Sequence, residues 1–217
     1  MRKLIIFDLD GTLLDTLTDL TNSVNHTLKH FKKAPLTEKE IRYYLGFGPR
    51  YLLDRAFKME MNDYEYHDIY EIYDNHYSIH KNDYTKPYDG IVDVLKILKK
   101  SGYILSVCSN KQDDATKSLI KDIFGDLFDF VIGSSDAYQK KPAPDMVYKT
   151  LEALNVEKEN ALYIGDTEVD LKTAYNSGLK SIAVLYGFRD KEDLRNFSPL
   201  AFVDEPAQLV EIIHHYF

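Results

Sequence analysis

Lys3-Leu4-Ile5-Ile6-Phe7-Asp8-Leu9-Asp10-Gly11-Thr12-Leu13-Leu14-Asp15 is the stretch that decides the fold of this 217-residue chain. Leu4 to Phe7 is a short unbroken apolar run, the pattern of a strand buried on both faces in a parallel sheet covered by helices. The run stops at two carboxylates one residue apart, Asp8 and Asp10, followed by Gly11, whose missing Cβ permits a sharp turn. In open α/β sheets ligands bind outside the carboxyl ends of the strands. The two aspartates therefore fall where a site belongs, although Asp and Gly are also common turn residues.

Working outward, the next segment changes period. Leu17, Leu20, Val24, Leu28 and Phe31 follow the three-and-four spacing of one apolar helical face. Thr37-Glu38-Lys39-Glu40 has capping-box spacing, and Pro49 suits the first turn of a helix through Leu52, Leu53 and Phe57. A longer helix capped by Asn62 or Asp63 carries Tyr66, Ile69, Tyr70, Tyr73 and Tyr77. No strand is expected between Asp15 and His80, so four helices form a bundle inserted after the first strand. Within it, Gly46-Phe47-Gly48-Pro49-Arg50 allows close backbone approach at its glycines, and Arg50 can grip a carboxylate or phosphate. The alternative is an ordinary helix-helix turn with a solvated arginine. The pairs His26/His30 and His76/His80 have i, i+4 spacing but lack the His-Glu-x-x-His pattern, and they read as solvated helix histidines.

Pro87-Tyr88-Asp89-Gly90 is turn chemistry that returns the chain to the sheet. Three further apolar strands follow, Tyr103 to Cys108, Phe128 to Ile132 and Ala161 to Gly165. The first ends in Ser109-Asn110, a hydroxyl and an amide able to donate to phosphate oxygens. The last ends in Asp166-Thr167-Glu168-Val169-Asp170, and convergent carboxylates of this kind suit Mg²⁺, which prefers oxygen ligands. Lys140-Lys141-Pro142-Ala143-Pro144 lies between them. Ser181 to Leu185 and Ala201 to Val203 complete the strands, and a terminal helix runs through Leu209, Ile212 and Ile213.

Composition excludes several classes. A net charge of −8 argues against a nucleic-acid surface, which needs a basic patch. No apolar run approaches the roughly 20 residues of a membrane span, and none resembles a signal peptide. The single cysteine, Cys108, fits a reducing compartment and reads as a small buried residue. A cytoplasmic protein, monomer or homodimer, acting on a small molecule is expected, with no nucleic acid and no membrane partner.

Asp8-x-Asp10-Gly11-Thr12 resembles the first motif of the haloacid dehalogenase superfamily, most of whose members are Mg²⁺-dependent phosphatases. Ser109 matches the second motif, Lys141 with Pro142-Ala143-Pro144 the third, and Gly165-Asp166-x-x-x-Asp170 the fourth. The resemblance covers nearly the whole chain. It implies an α/β fold, a Rossmann-like parallel sheet of five or six strands formed by residues 1–14 and 82–217, with residues 15–81 as an inserted type 1 helical cap. It also implies roles. Asp8 is the nucleophile, Asp10 the general acid and base, and Lys141 the neutralising cation. Thr12, Ser109 and Asn110 bind phosphate. Asp8, the Asp10 backbone carbonyl, Asp166 and, through water or by orienting a neighbour, Asp170 hold Mg²⁺.

The cap loop is similar to that of phosphoglycolate phosphatases, which points to Gly46, Gly48 and Arg50 as specificity residues. Pyrophosphatases, nucleotidases, sugar phosphatases and β-phosphoglucomutases share the same core motifs, the last being isomerases. Asp10 argues against true haloacid dehalogenases, which hydrolyse an ester intermediate without this second aspartate. A phosphate monoester hydrolase working through an aspartyl-phosphate is the reading the motifs support.

Overall fold

Alternate residues of a strand face opposite sides of its sheet, and the first strand shows what that dictates. In the computed structural model, which describes residues 2–217, β1 (Leu4–Phe7) is wholly buried. Ile5 and Phe7 pack into one apolar cluster and Leu4 and Ile6 into another, on the far side of the sheet. An apolar run without alternation is therefore the right code for this position, because both faces are covered.

After β1 come the short β2 (Leu14–Asp15) and the helices α1 (Leu17–His30), α2 (Glu38–Arg42), α3 (Pro49–Phe57) and α4 (Asp63–His80). The chain returns through β3 (Lys86–Pro87), α5 (Ile91–Lys100), β4 (Ile104–Gln112), α6 (Asp113–Phe124), β5 (Phe130–Ser134) and α7 (Asp145–Leu154). It closes with β6 (Ala161–Gly165), α8 (Glu168–Ser177), β7 (Lys180–Val184), α9 (Lys191–Leu194), β8 (Ala201–Val203) and α10 (Gln208–Tyr216). The six-stranded sheet has the order β5-β4-β1-β6-β7-β8, and every neighbour pair is parallel. This is the mixed α/β class and Rossmann-like sheet expected. Val94, Leu119 and Leu209 from α5, α6 and α10 cover the Ile5/Phe7 face, while Met146 and Ala174 from α7 and α8 cover the other.

The four helices of the insert close their own apolar cluster around Val24, Ile41, Leu53 and Tyr73. The capping boxes at Thr37 and Asn62 are both formed. Two features were not foreseen. The bases of the insert pair as an antiparallel ribbon, Leu14 opposite Pro87 and Asp15 opposite Lys86. Beside it, buried Asp19 accepts the backbone N–H groups of Tyr84 and Thr85 and the Thr85 hydroxyl, at 2.8–3.1 Å. A carboxylate held by that many donors needs no cation. The start and end of the insert are thus tied together just beyond the carboxyl end of β1.

Candidate active site

Four carboxylates and two lysines converge at the carboxyl ends of β1, β4 and β6. Gly11 makes this approach possible, with φ +86°; a Cβ there would stand 2.2 Å from Asp166 Oδ2. Only glycine adopts that backbone and leaves that space. Asp8, Asp166 and Asp170 offer carboxylate oxygens within 4.8 Å of one another, all buried. Lys141 Nζ lies 2.9 Å from Asp8 Oδ1, 2.7 Å from Asp170 Oδ1 and 3.0 Å from the Tyr163 hydroxyl.

The electrostatics follow from crowding like charges where water is excluded. Burial, and then Asp170, push the Asp8 carboxyl up to about 7 against the pull of Lys141. Burial, then Asp170 and Asp8, hold Asp166 well above the ordinary carboxylate range, although the Phe188 N–H and Thr12 oppose this. Burial alone would lower Lys141, but Asp170 and Asp8 outweigh it and keep the ammonium firmly protonated.

A hard dication fits this donor set. Asp8 Oδ1 is buried and close to Lys141, yet no donor meets it at hydrogen-bond geometry. Three buried carboxylates within 4.8 Å of one another, sharing one lysine, are what an oxygen-seeking cation satisfies. The Asp166 carboxylate is pre-oriented, Oδ1 accepting from the Thr12 hydroxyl at 2.8 Å and Oδ2 from the Phe188 N–H at 2.8 Å. Asp170 is more fully committed. Its Oδ1 takes Lys141, and its Oδ2 takes the Thr167 N–H at 3.0 Å and hydroxyl at 2.6 Å, capping α8. It orients Lys141 and the helix, which leaves Asp8 and Asp166 as the freer ligands.

Three side chains of the expected site are engaged with other protein groups. Thr12 is fully buried and its hydroxyl is donated to Asp166, so it braces a carboxylate rather than a phosphate. The Asn110 side chain is spent on the Gly46 and Lys141 carbonyls and the Lys141 N–H, so it joins the cap loop to the lysine loop. Arg50 does not line the cavity. Its guanidinium pairs with Asp63 at 3.0 Å and Asp54 at 3.7 Å, donates to the Met61 carbonyl and lies over the Tyr66 ring. Asp54 one turn away and the α4 N-terminus were nearer partners than any substrate. Arg50→Ala is therefore expected to change kcat/KM for any phosphate ester by less than about threefold, with at most about 1 kcal/mol lost from a partly exposed pair. A tenfold loss confined to carboxylate-bearing esters would return Arg50 to the site.

Ser109, Asn110, Gly46 and Gly48 line the cavity. The glycines bring the loop onto the core, since a Cβ on Gly46 would meet Thr167 at 3.1 Å and one on Gly48 the Asn110 carbonyl at 3.3 Å. Ser109 Oγ accepts the Lys111 N–H at 3.3 Å, which leaves its own proton to donate. Cys108 is buried and burial pushes its thiol up to about 12, so it is inert. The histidines of α1 and α4 stack across helices, His26 on His76 at 4.1 Å, and Asp8, Asp166 and Asp170 make the metal-competent cluster found among the described residues.

Two site residues escaped sequence reasoning. Lys111 Nζ stands 3.0 Å from Asp10 Oδ1 and 2.7 Å from the Tyr77 hydroxyl of α4. A lysine inside a strand extension, two residues past a motif serine, was the available signal, since lysine is almost never buried unpaired. Arg189 is buried and pairs with Glu168 at 2.8 Å while donating to the carbonyls of Arg42, Tyr43 and Leu45. It holds the C-terminal end of α2, and with it the Gly46 loop, against the core.

The site defines the class: a parallel α/β fold with buried acids at the strand ends under a helical insert. The model of haloacid dehalogenase-like hydrolases matches residues 5–184, and the chain belongs to that family. It is 33% identical over 215 residues to a phosphoglycolate phosphatase of Aquifex aeolicus, covering 99% of this chain and 98% of that one. A phosphoglycolate phosphatase of Mesorhizobium japonicum is 31% identical, covering 93% of this chain and 90% of that one. A crystal structure from Lactobacillus delbrueckii subsp. bulgaricus superposes with a TM-score of 0.91 at 32% identity, covering 98% and 99% of the two chains. A haloacid dehalogenase-like family protein of Streptococcus pneumoniae gives 0.87 at 26%, covering 98% of each.

Proposed function

We propose that this chain hydrolyses a small phosphate monoester through an aspartyl-phosphate on Asp8, with Mg²⁺, and that phosphoglycolate is the substrate its site accommodates best. That it is a phosphatase, a phosphoric monoester hydrolase, follows from its family and its relatives. The observation that carries the mechanism is Asp8: its buried Oδ1 lies 2.9 Å from Lys141 without a hydrogen bond of good geometry, and its carboxylate comes within 4.8 Å of those of Asp166 and Asp170.

Asp8 attacks phosphorus, and the ester oxygen leaves with a proton from Asp10. Asp10 then takes a proton from water, which attacks the acyl phosphate and regenerates Asp8. Lys141 offers positive charge and the Ser109 hydroxyl a hydrogen-bond donor to the phosphoryl oxygens, both already oriented before substrate binds. Asp8, Asp166 and the Asp10 backbone carbonyl would hold Mg²⁺, which when bound offsets the charge of nucleophile and phosphate.

The size of the cavity supports a small leaving group. It is a cleft open to one side, with about 70 Å³ of room for water, and Leu45, Leu52, Tyr73 and Tyr77 of the insert form its roof. We read residues 15–81 as a cap domain over a core of residues 1–14 and 82–217, tied at the β2/β3 ribbon. A cytoplasmic setting agrees with the lone buried thiol. Among the described residues no helix is long and apolar enough to cross a membrane.

Purified protein should release phosphate from phosphoglycolate and p-nitrophenyl phosphate, lose activity in EDTA and recover it with Mg²⁺. Full turnover without any divalent metal would refute the metal requirement. Poor turnover of phosphoglycolate relative to other small esters would refute the substrate.

A further inference from the structure

We propose that Lys111 is the subsite for the substrate's second anion, a carboxylate carried on the leaving group, with the Tyr77 hydroxyl holding the ammonium on the cap side. This rests on the phosphatase reading above and assigns the recognition that Arg50 does not perform.

Lys111 lies near the end of β4, where the pairing with β5 shifts register between Cys108 and Gln112. The irregularity and the Lys111 N–H bond to Ser109 Oγ aim the side chain away from the ladder and into the cavity. It is the one cationic side chain among the described residues lining that cavity. Lys141 serves Asp8 and Asp170 behind it, and Arg50 is engaged elsewhere. An anion on the leaving group therefore meets Lys111 or nothing.

The ammonium is held but not saturated. Its side chain is 6% exposed, and its two partners are the Tyr77 hydroxyl at 2.7 Å and Asp10 Oδ1 at 3.0 Å. Asp10 Oδ1 receives no hydrogen bond of good geometry, so that contact is a loose ion pair. An ammonium has three donors. One is taken by Tyr77, one faces Asp10, and the third is free for a ligand. Leu20, Leu45, Leu52 and Tyr73 form an apolar part of the wall that would strengthen a new ion pair by excluding water, while Asp74, Tyr70 and Gln112 make the remainder polar. Asp10 faces the ester oxygen in the proposed chemistry. A cation 3.0 Å from it is placed for a group only a few atoms beyond that oxygen, as the carboxylate of a two-carbon acid would be.

The test compares two non-hydrolysable ligands of the same length, 3-phosphonopropionate and propylphosphonate, which differ by a carboxylate in place of a methyl group. Binding is measured by calorimetry with Mg²⁺ present. The wild type should prefer 3-phosphonopropionate by roughly ten- to a hundredfold, the usual range for one charge-assisted bond. Lys111→Met should remove that preference, Lys111→Arg should keep most of it, and Tyr77→Phe should reduce it. Tyr77→Phe also decides the matter if Lys111→Met fails to fold, because it deletes one oxygen; an unchanged preference there would count against the subsite. Equal binding of the two ligands by the wild type, or equal losses for both in Lys111→Met, would overturn the proposal while leaving the phosphatase intact. Failure of the wild type to bind either phosphonate would instead strike the phosphatase reading itself.

Discussion

Replacing Asp8 with asparagine is expected to reduce kcat by roughly 10⁴- to 10⁶-fold, the scale seen when a covalent nucleophile is removed. The substitution changes one buried oxygen for an amide and preserves volume, so the fold survives. It removes the charge of a carboxylate that lies against Lys141 and within 4.8 Å of Asp166 and Asp170. An amide there can neither attack phosphorus nor contribute the charge that draws a cation. Because it also relieves repulsion among three carboxylates crowded within 4.8 Å, the variant should melt at or above the wild-type temperature without metal. Loss of activity together with retained stability distinguishes a nucleophile from a structural acid. A variant with kcat within tenfold of wild type would show that another group is attacked.

Lys141→Met should be costly in both respects. The lysine is buried among Asp8, Asp170 and Tyr163, so its removal strands carboxylates in a site without water. Breaking a buried pair of this kind costs about 3–5 kcal/mol, which in a chain of this size is a fall in Tm on the order of 10 °C. Loss of one preorganised cation also lowers kcat by roughly 10²- to 10³-fold. The stability loss depends on pH. Folded Asp8 keeps its proton up to about pH 7, against an ordinary value of 3.8. Between those values the folded state binds more protons than the unfolded one, so this group's contribution to stability is present at low pH and is lost as pH rises through 7. Lys141 opposes that rise in proton affinity. Without it the carboxylates hold their protons to higher pH, and the gap between variant and wild type in EDTA should be wider at pH 8 than at pH 5. A gap that narrows toward pH 8 would mean that Lys141 is not compensating Asp8.

The parts of the site that were legible in the sequence are those whose position follows from backbone alone. Asp8 and Asp166 each end an unbroken apolar strand, and strand ends in a parallel sheet share one edge. Their convergence needs no knowledge of side-chain direction. Lys141 was legible only as a motif, since two lysines before a proline otherwise describe an exposed loop. What stayed hidden depends on contacts between distant segments. Asp19 clamps Thr85, Arg189 reaches the α2 carbonyls, and Asn110 turns from phosphate to the Gly46 and Lys141 loops. No local pattern announces any of these. Arg50 was misplaced for the same reason: glycines near it do bring the loop to the core, but its own side chain lies on the far side of α3, among Asp54, Asp63 and Tyr66. Lys111 was missed because β4 runs to Gln112, past the point where the apolar run stops. A charged residue in that extension looks solvated until the cap is placed above it.

The covalent step is the centre of this account, and one experiment reads it directly. Wild-type enzyme mixed with excess substrate and Mg²⁺ would be quenched in acid within milliseconds and reduced with borohydride. That reagent converts an aspartyl-phosphate to homoserine and leaves free aspartate unchanged. Peptide mass spectrometry should then find homoserine at position 8, in an amount that rises in Asp10→Asn if that change slows hydrolysis of the intermediate more than its formation. Product formation with residue 8 recovered wholly as aspartate, or homoserine at any other position, would contradict Asp8 as the group that carries the phosphoryl.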